Sequence, residues 1–189
     1  MFINWEDSTL RFDPTSPDPL ATHGIPLPVY GNYGGPNWSA GQVGGTITGD
    51  PHIDPAPVDA LDTLFFAHDF VYQTHPNPQT NPADLAARIG ADVVLVENMH
   101  NLTFTDPGAP NYDPEAGLFE GLATLAIVGQ LAIEGSLQTL PFTDQLQIAA
   151  ATQEAIVNFE AGLAAVPGEA KSLHGAFHVF EHKFLDFLL

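Results

Sequence analysis

Residues 57–72 read PVDALDTLFFAHDFVY, and this stretch decides the fold class of the chain. Its apolar and aromatic residues recur at three- and four-residue spacing, which predicts an amphipathic helix over residues 57–74. Pro57 suits the first helical position, and Asp59 suits the first turn. The residues that share the inner face are Leu61, Leu64, Phe65, His68 and Tyr72.

Further helical patterns follow downstream. A second helix is predicted over residues 82–102, with an inner face formed by Leu85, Ile89, Asp92, Leu95, Val96 and Met99. Three more are predicted at residues 115–139, 143–166 and 169–188. The apolar run 117–140 contains Glu120, Gln130 and Glu134. These polar residues indicate a buried helix in place of a membrane span.

The N-terminal third has a different composition. Residues 1–56 are rich in Pro, Gly and Asp clusters, such as GNYGGPN at residues 31–37, which cannot sustain a long helix. Loop structure is expected there, with short strands around residues 42–48. The sequence therefore predicts a mainly α single domain over residues 1–189. Its parts are a loop-rich segment (1–56), a helix pair (57–103) and additional helices (104–189).

The charge of the chain limits its partners. The 189 residues include 4 Lys or Arg and 23 Asp or Glu, a net charge of −19. Few cations are available to replace phosphate counterions, which argues against nucleic acid. The charge also argues against electrostatic docking on anionic membranes and favours a cation partner, most plausibly calcium. No cysteine is present, which excludes disulfides, a thiolate nucleophile and Cys-ligated zinc.

His68 and Asp69 are the first candidates for chemistry. Their side chains diverge by about 100° on a helix, so we expect no hydrogen bond between them. They can serve two neighbouring tasks instead, His68 as a general base and Asp69 as a cation ligand. A histidine base needs an acceptor for its other ring nitrogen. Asp92, on the inner face of the second helix, is the best candidate, with Tyr72 as a second donor to it. Asp84 is the alternative if Asp92 lies at the surface.

The glycine-rich stretch YGNYGGPNWSAG, residues 30–41, is the second candidate feature. Calcium takes several oxygen ligands, and backbone carbonyls supply them where a loop curls tightly. Gly31, Gly34 and Gly35 permit the backbone angles that such a loop needs. The alternative is a plain Gly/Pro turn.

Taken together, the two stretches resemble the secreted phospholipase A2 superfamily, in a cysteine-free form like its bacterial members. That family has a Tyr-Gly-x-Tyr-x-Gly-x-Gly calcium loop, followed by a helix with Pro-x-Asp-x-Leu-Asp, His-Asp and Tyr. Here the loop reads YGNYGGPN at residues 30–37, and the helix carries PVDALD (57–62), His68-Asp69 and Tyr72. The resemblance reaches residue 103 through the ADVVLVENM pattern at 91–99 and is not evident beyond it.

The resemblance implies an antiparallel helix pair carrying the site and a calcium-dependent hydrolysis of the sn-2 ester of glycerophospholipids. His68 would be the general base, Asp92 would orient it and Tyr72 would support the pair. The substrate would be presented at a phospholipid membrane or micelle surface. The calcium ligands that the resemblance implies are the backbone oxygens of Tyr33, Gly35 and Asn37 and the carboxylate of Asp69.

Some alternatives stay open at this point. The chain could be a catalytically inactive relative: a calcium-stabilised lipid-binding or toxin-accessory module. The segment 38–56 could cover the cleft or bind another ion. Asp50, Asp54 and Asp59 either form a second calcium site or are solvated loop charges. The histidines of the last helix either bind a metal or mark its polar margin; they are His174, His178 and His182.

The ends of the chain bear on localisation. The stretch MFINWEDSTLRFD has neither a basic nor an apolar region of a signal peptide, so none is expected at the N-terminus. The final residues LDFLL (185–189) look like the uncleaved C-terminal signals of bacterial type I secretion. Secretion is therefore expected, and a helix end packed on the core is the alternative reading of this segment.

Overall fold

The computed structural model describes residues 28–166 and three short strand segments upstream of them, Ile3–Asn4, Arg11–Phe12 and Ile25–Pro26. The predicted helix 169–188, its histidines and the C-terminal segment 185–189 lie outside the described residues. The predictions made for them therefore stay predictions.

Four α-helices make up most of the described chain, and the prediction of a mainly α fold is confirmed. They are α1 (Ala60–Thr74), α2 (Pro82–His100), α3 (Pro114–Ile133) and α4 (Phe142–Ala165). Short 3-10 turns follow α2 at Thr103–Thr105 and α3 at Leu137–Thr139.

Short antiparallel strand pairs organise the N-terminal third. β1 (Ile3–Asn4) pairs with β4 (Val29–Tyr30), β2 (Arg11–Phe12) with β3 (Ile25–Pro26), and β5 (Trp38–Ser39) with β6 (Gln42–Val43). The strand expected around residues 42–48 forms only at Gln42–Val43.

The start of α1 differs from the prediction. The helix begins at Ala60, and Asp59 is its N-cap, with a side chain that accepts from the backbone N–H of Asp62 at 2.9 Å. Pro57 and Val58 therefore precede the helix. A carboxylate at this position satisfies a backbone donor that the helix itself leaves unpaired.

The end of α3 also differs from the prediction. The helix stops at Ile133 and does not reach residue 139. Gly135 follows with a φ of 72°, and its N–H donates to Ala132 O at 3.1 Å, while Ser136 N–H donates to Leu131 O at 2.9 Å. This is a Schellman-type ending, in which a left-handed glycine satisfies the last carbonyls.

α3 and α4 form the closely packed centre of the core. A Cβ atom on Gly121 would lie 2.4 Å from Ala155 O, and one on Gly162 would lie 2.6 Å from Leu118 Cβ. The helices therefore approach to a distance that only glycine allows. α3 is long and apolar enough to cross a membrane by length and composition alone, but 67% of that stretch is buried inside the protein. The burial agrees with the expected core helix.

α2 packs between α1 and the α3–α4 pair. Val96 and Met99 are fully buried in the core, whereas Leu85, which we expected on the inner face, is 41% exposed. His68 contacts Asp92, whereas Tyr72, further along α1, contacts Arg88, which lies earlier in α2. The two helices therefore run antiparallel. This arrangement brings the inner faces of α1 and α2 together, where the candidate residues lie.

Candidate functional site

Asp62 holds the glycine-rich loop against the start of α1. Its fully buried carboxylate accepts from Asn32 N–H at 3.0 and 3.1 Å, from Tyr33 N–H at 2.8 Å and from Val58 N–H at 2.9 Å. Gly31 lies directly against it, with a φ of 55° and space for no Cβ atom, which would sit 2.5 Å from Asp62 Cγ. The carboxylate of Asp62 and the lack of a side chain at Gly31 therefore allow the loop to lie close against α1.

Two tyrosines anchor the same loop. Tyr30 donates its hydroxyl to the N-cap carboxylate of Asp59 and stacks on Phe119 of α3, with ring centroids 5.1 Å apart. Tyr33 donates its hydroxyl to Pro55 O at 2.6 Å and places its ring edge-on against Phe66 at 4.9 Å. The loop is thus fixed to α1 and α3 by buried aromatic rings.

His68, Asp92 and Tyr72 form a hydrogen-bonded group between α1 and α2. His68 Nε2 lies 2.7 Å from Asp92 Oδ1, and the Tyr72 hydroxyl donates to both Asp92 oxygens at 2.9 and 3.0 Å. The Asp92 side chain is 4% exposed. Burial and the charge of Asp92 raise the pKa of Tyr72, so the phenol keeps its proton and remains a donor.

Asp69 lies on the other side of the His68 ring. His68 Nδ1 is 3.6 Å from Asp69 Oδ1, closer than we expected from their divergence along the helix but beyond hydrogen-bond distance. The other oxygen, Asp69 Oδ2, is buried and has no hydrogen-bond partner, and the same holds for the hydroxyl of the neighbouring residue Ser39. An unpaired buried carboxylate oxygen is costly, and a bound cation would satisfy it.

The pKa values of these groups follow from burial and charge. Burial alone lowers the pKa of His68, but Asp69 and Asp92 outweigh it and raise the value from 6.5 to about 9. Burial raises the pKa of Asp69, while the polar groups of His68 and Ser39 lower it in part, although Ser39 makes no hydrogen bond of normal geometry. Burial also raises the pKa of Tyr33, with contributions from the charges of Asp54, Asp62 and, least, Asp69. Ser39, Tyr33 and Asp69 therefore share one electrostatic environment.

The loop carbonyls meet the requirements of a cation only in part. Gly35 O accepts from Trp38 N–H at 3.2 Å, and Asn37 O accepts from Gly44 N–H at 2.7 Å, so each has one lone pair left. Asn37 adopts a left-handed φ of 53°, which asparagine tolerates. Among the described residues, no three His, Asp or Glu side chains come together as a metal site. A cation at Asp69 would therefore depend on carbonyl, hydroxyl and water oxygens.

The alternative acidic residues have structural roles. Asp84 accepts from Asn77 N–H at 3.0 Å and from the Asn81 side chain at 2.6 Å, so it organises the start of α2 and does not orient His68. Asp54 accepts from Thr48 and Gly49 within its own loop. Asp59 caps α1. The second calcium site that Asp50, Asp54 and Asp59 offered as an alternative does not assemble within the described residues.

Sequence reasoning missed two contributors to the site. Asp62 belongs to the PVDALD motif at residues 57–62. Its contact with residues 32 and 33 joins distant parts of the chain and could not be predicted from the spacing of residues along the sequence. Ser39 lies within the glycine-rich stretch, and its burial beside Asp69 could be found only from the three-dimensional arrangement.

The raised pKa of His68 predicts a pH-dependent contribution to stability in calcium-free protein. The folded state binds the proton more tightly than the unfolded state, so the contribution is complete below about pH 6.5 and is lost as pH rises towards 9. Urea unfolding of wild type and His68→Gln, in chelator at several pH values, measures it. The stability gap between the two proteins should narrow with rising pH, and a constant gap would contradict the assignment.

We compared the chain with known proteins. No protein-family model, no curated protein and no solved structure matches it.

Proposed function

We propose that this chain is a calcium-dependent phospholipase A2-type enzyme that hydrolyses the sn-2 ester of glycerophospholipids. One observation carries the proposal: Asp92 holds His68 Nε2 at 2.7 Å, which leaves Nδ1 directed towards the half-buried Asp69 carboxylate. A ring held through one nitrogen presents the other to solvent or substrate in a fixed direction. The antiparallel α1–α2 pair and the anchored glycine-rich loop support the same family resemblance.

His68 would carry the proton in each step. Nδ1 accepts a proton from a water molecule while the water oxygen forms a bond to the sn-2 ester carbonyl carbon. The ester C–O bond then breaks, and His68 Nδ1–H returns the proton to the departing glycerol oxygen, leaving a fatty acid and a lysophospholipid. Asp92 remains the acceptor for Nε2–H throughout and stabilises the charged imidazolium. Tyr72 keeps the Asp92 carboxylate in place.

Asp69 would be the main cation ligand, with the loop carbonyls of Tyr33, Gly35 and Asn37. The support is the Asp69 oxygen that is buried without a partner. The Ser39 hydroxyl is a further oxygen in the same environment. When bound, calcium would polarise the ester carbonyl and stabilise the negative charge that develops on its oxygen. A cation at Asp69 would also lower the pKa of His68, since it offsets one of the two negative charges that raise it.

The proposal also covers where the enzyme acts and which lipid surface it acts on. We expect the enzyme to act outside the cell, where calcium is abundant, with type I secretion as the route and a phospholipid membrane or micelle as the substrate. The net charge of −19 favours zwitterionic lipid over anionic lipid as the surface.

Release of fatty acid from phosphatidylcholine vesicles tests the proposal. We expect release in calcium, none in chelator, and little in magnesium, because an irregular carbonyl-rich loop suits the larger ion and not a strict octahedral one. Calcium should also raise the melting temperature, since binding to the folded state alone contributes about 2.7 kcal/mol at a hundredfold excess over Kd. Equal release in calcium and in chelator would refute the calcium requirement.

The second candidate is the inactive module that binds lipid and is stabilised by calcium. The loop carbonyls already engaged in turn hydrogen bonds favour it, because they leave fewer free lone pairs for the ion. It predicts that calcium raises the melting temperature and vesicles bind, but that no fatty acid appears at any pH. The vesicle assay and the melting curve together separate the two candidates.

A further inference from the structure

Arg88 has an unusual position for a cation in this chain. Of the four Lys and Arg residues, it is the one that lies between residues 28 and 166. Its guanidinium turns inward from α2, where it is half-buried against the end of α1. A guanidinium on the protein surface would be fully solvated, so the inward position of Arg88 needs a local explanation.

The contacts of Arg88 converge on Tyr72. Nη2 donates to Tyr72 O at 3.0 Å, and the guanidinium carbon lies 4.6 Å from the centre of the Tyr72 ring. Nε donates to His75 O at 2.7 Å. The last turn of α1 contains no basic residue of its own, so Arg88 supplies the positive charge that the negative helix end favours. Arg88 therefore fixes both the backbone and the ring of Tyr72.

Tyr72 is also the residue that connects this cation to the candidate base. Its hydroxyl spans both oxygens of Asp92, and Asp92 holds His68 Nε2. Its ring lies against the His68 ring, with centroids 4.4 Å apart. A shift of the Tyr72 ring would therefore disturb the direction of the Asp92 carboxylate and of the imidazole together.

The surroundings show why a cation is needed at this point. Arg88, Tyr72 and Asp92 line a cavity of about 220 Å³ that also reaches Gln130 of α3 and Glu134 at its C-cap. Asp92 and Glu134 are negative charges near the Tyr72 hydroxyl, and Arg88 opposes their effect on it. Without Arg88, this side of Asp92 would face a negative cavity that is open to water.

We propose that Arg88 is a positioning residue for the His68–Asp92 pair and that it acts through Tyr72. The kinetic consequence rests on the proposed hydrolytic function, but the structural consequence does not. Arg88 itself touches neither His68 nor the proposed cation ligand. Its removal therefore loosens the position of the His68–Asp92 pair but takes away no group that reacts.

The test uses full-length Arg88→Gln and Arg88→Lys, with Gln79→Ala as the control that lines the same cavity. The first readout is the low-field proton resonance of His68 Nε2–H, identified by its loss in His68→Gln. Arg88→Gln should broaden or abolish this resonance and lower kcat by up to about 100-fold with little change in KM. Arg88→Lys should retain much of both, and Gln79→Ala should match wild type.

A second comparison covers the case in which Arg88→Gln fails to fold. Arg88→Met, which keeps the aliphatic stem but loses the charge and the donors, is then measured in the wild type and in Tyr72→Phe, which lacks the hydroxyl link to Asp92. If Arg88 acts through that link, its effect should largely disappear in the Tyr72→Phe background. Additive effects, or an unchanged resonance and kcat in folded Arg88→Gln, would overturn the proposal. If wild type releases no fatty acid, the resonance alone still decides the role of Arg88, while the hydrolytic function falls separately.

Discussion

His68→Gln should lower the rate of fatty-acid release by about 100-fold to 10,000-fold, the range that a positioned general base contributes. The substitution removes the nitrogen that accepts the proton of water. It keeps a side chain that can still hydrogen-bond to Asp92, so the fold should survive. Calcium affinity should change little, because the cation ligand is Asp69 and not His68. Steady-state kinetics and calcium titration on the same preparation measure both effects.

Two variants control this experiment. His52→Gln changes an exposed histidine in the loop before α1 and should behave as wild type. Asp69→Asn should show the complementary result: calcium binding should weaken while the His68–Asp92 hydrogen bond is retained. If His68→Gln and Asp69→Asn weaken calcium binding equally, the separation of roles between base and ligand is wrong.

Asp62→Ala should destabilise the protein by about 3 kcal/mol. The carboxylate is fully buried and accepts from the N–H groups of Asn32, Tyr33 and Val58. A buried donor left without a partner costs about 1–3 kcal/mol. The Tyr33 bond is buried, whereas the Asn32 and Val58 bonds are part-buried. Water entering the vacated space would recover part of this loss, which is why we take the lower end of the sum. Urea unfolding measures the free energy of unfolding directly.

The same variant should loosen the glycine-rich loop selectively. Limited proteolysis should cut within residues 30–56 of Asp62→Ala before it cuts the helices, and calcium binding should weaken with it. Glu160→Ala, at an exposed position of α4, is the matched control and should change neither property. A wild-type proteolysis pattern and stability in Asp62→Ala would show that the loop is held by its aromatic anchors alone.

The helices were predictable because their signals are local. Apolar spacing located all four described helices, and the same spacing placed His68, Tyr72 and Asp92 on facing sides. The errors lie at the ends, where capping decides the boundary. Asp59 starts α1 after Pro57, and Gly135 ends α3 before residue 139. Leu85 was misassigned because it lies in the first turn of α2, at the edge of the core.

The rest of the site depends on contacts between distant residues. Asp62 reaches the loop across 30 positions of the chain, and Arg88 reaches Tyr72 across 16. Neither contact leaves a pattern in a single sequence. The approach of His68 and Asp69 to 3.6 Å depends on side-chain rotamers, which the helical period does not determine. The calcium ligands in the loop stay predictions for the same reason.

Positional analysis of the products tests sn-2 hydrolysis by this protein most directly. Phosphatidylcholine vesicles carrying different labels on the sn-1 and sn-2 chains would be incubated with the full-length protein in calcium and in chelator. We expect the sn-2 label to appear as free fatty acid in calcium and the sn-1 label to stay in lysophospholipid, and we expect chelator and His68→Gln to stop the reaction. Release of both chains alike, release that persists in chelator, or no release at all from a folded, calcium-bound protein would contradict calcium-dependent sn-2 hydrolysis.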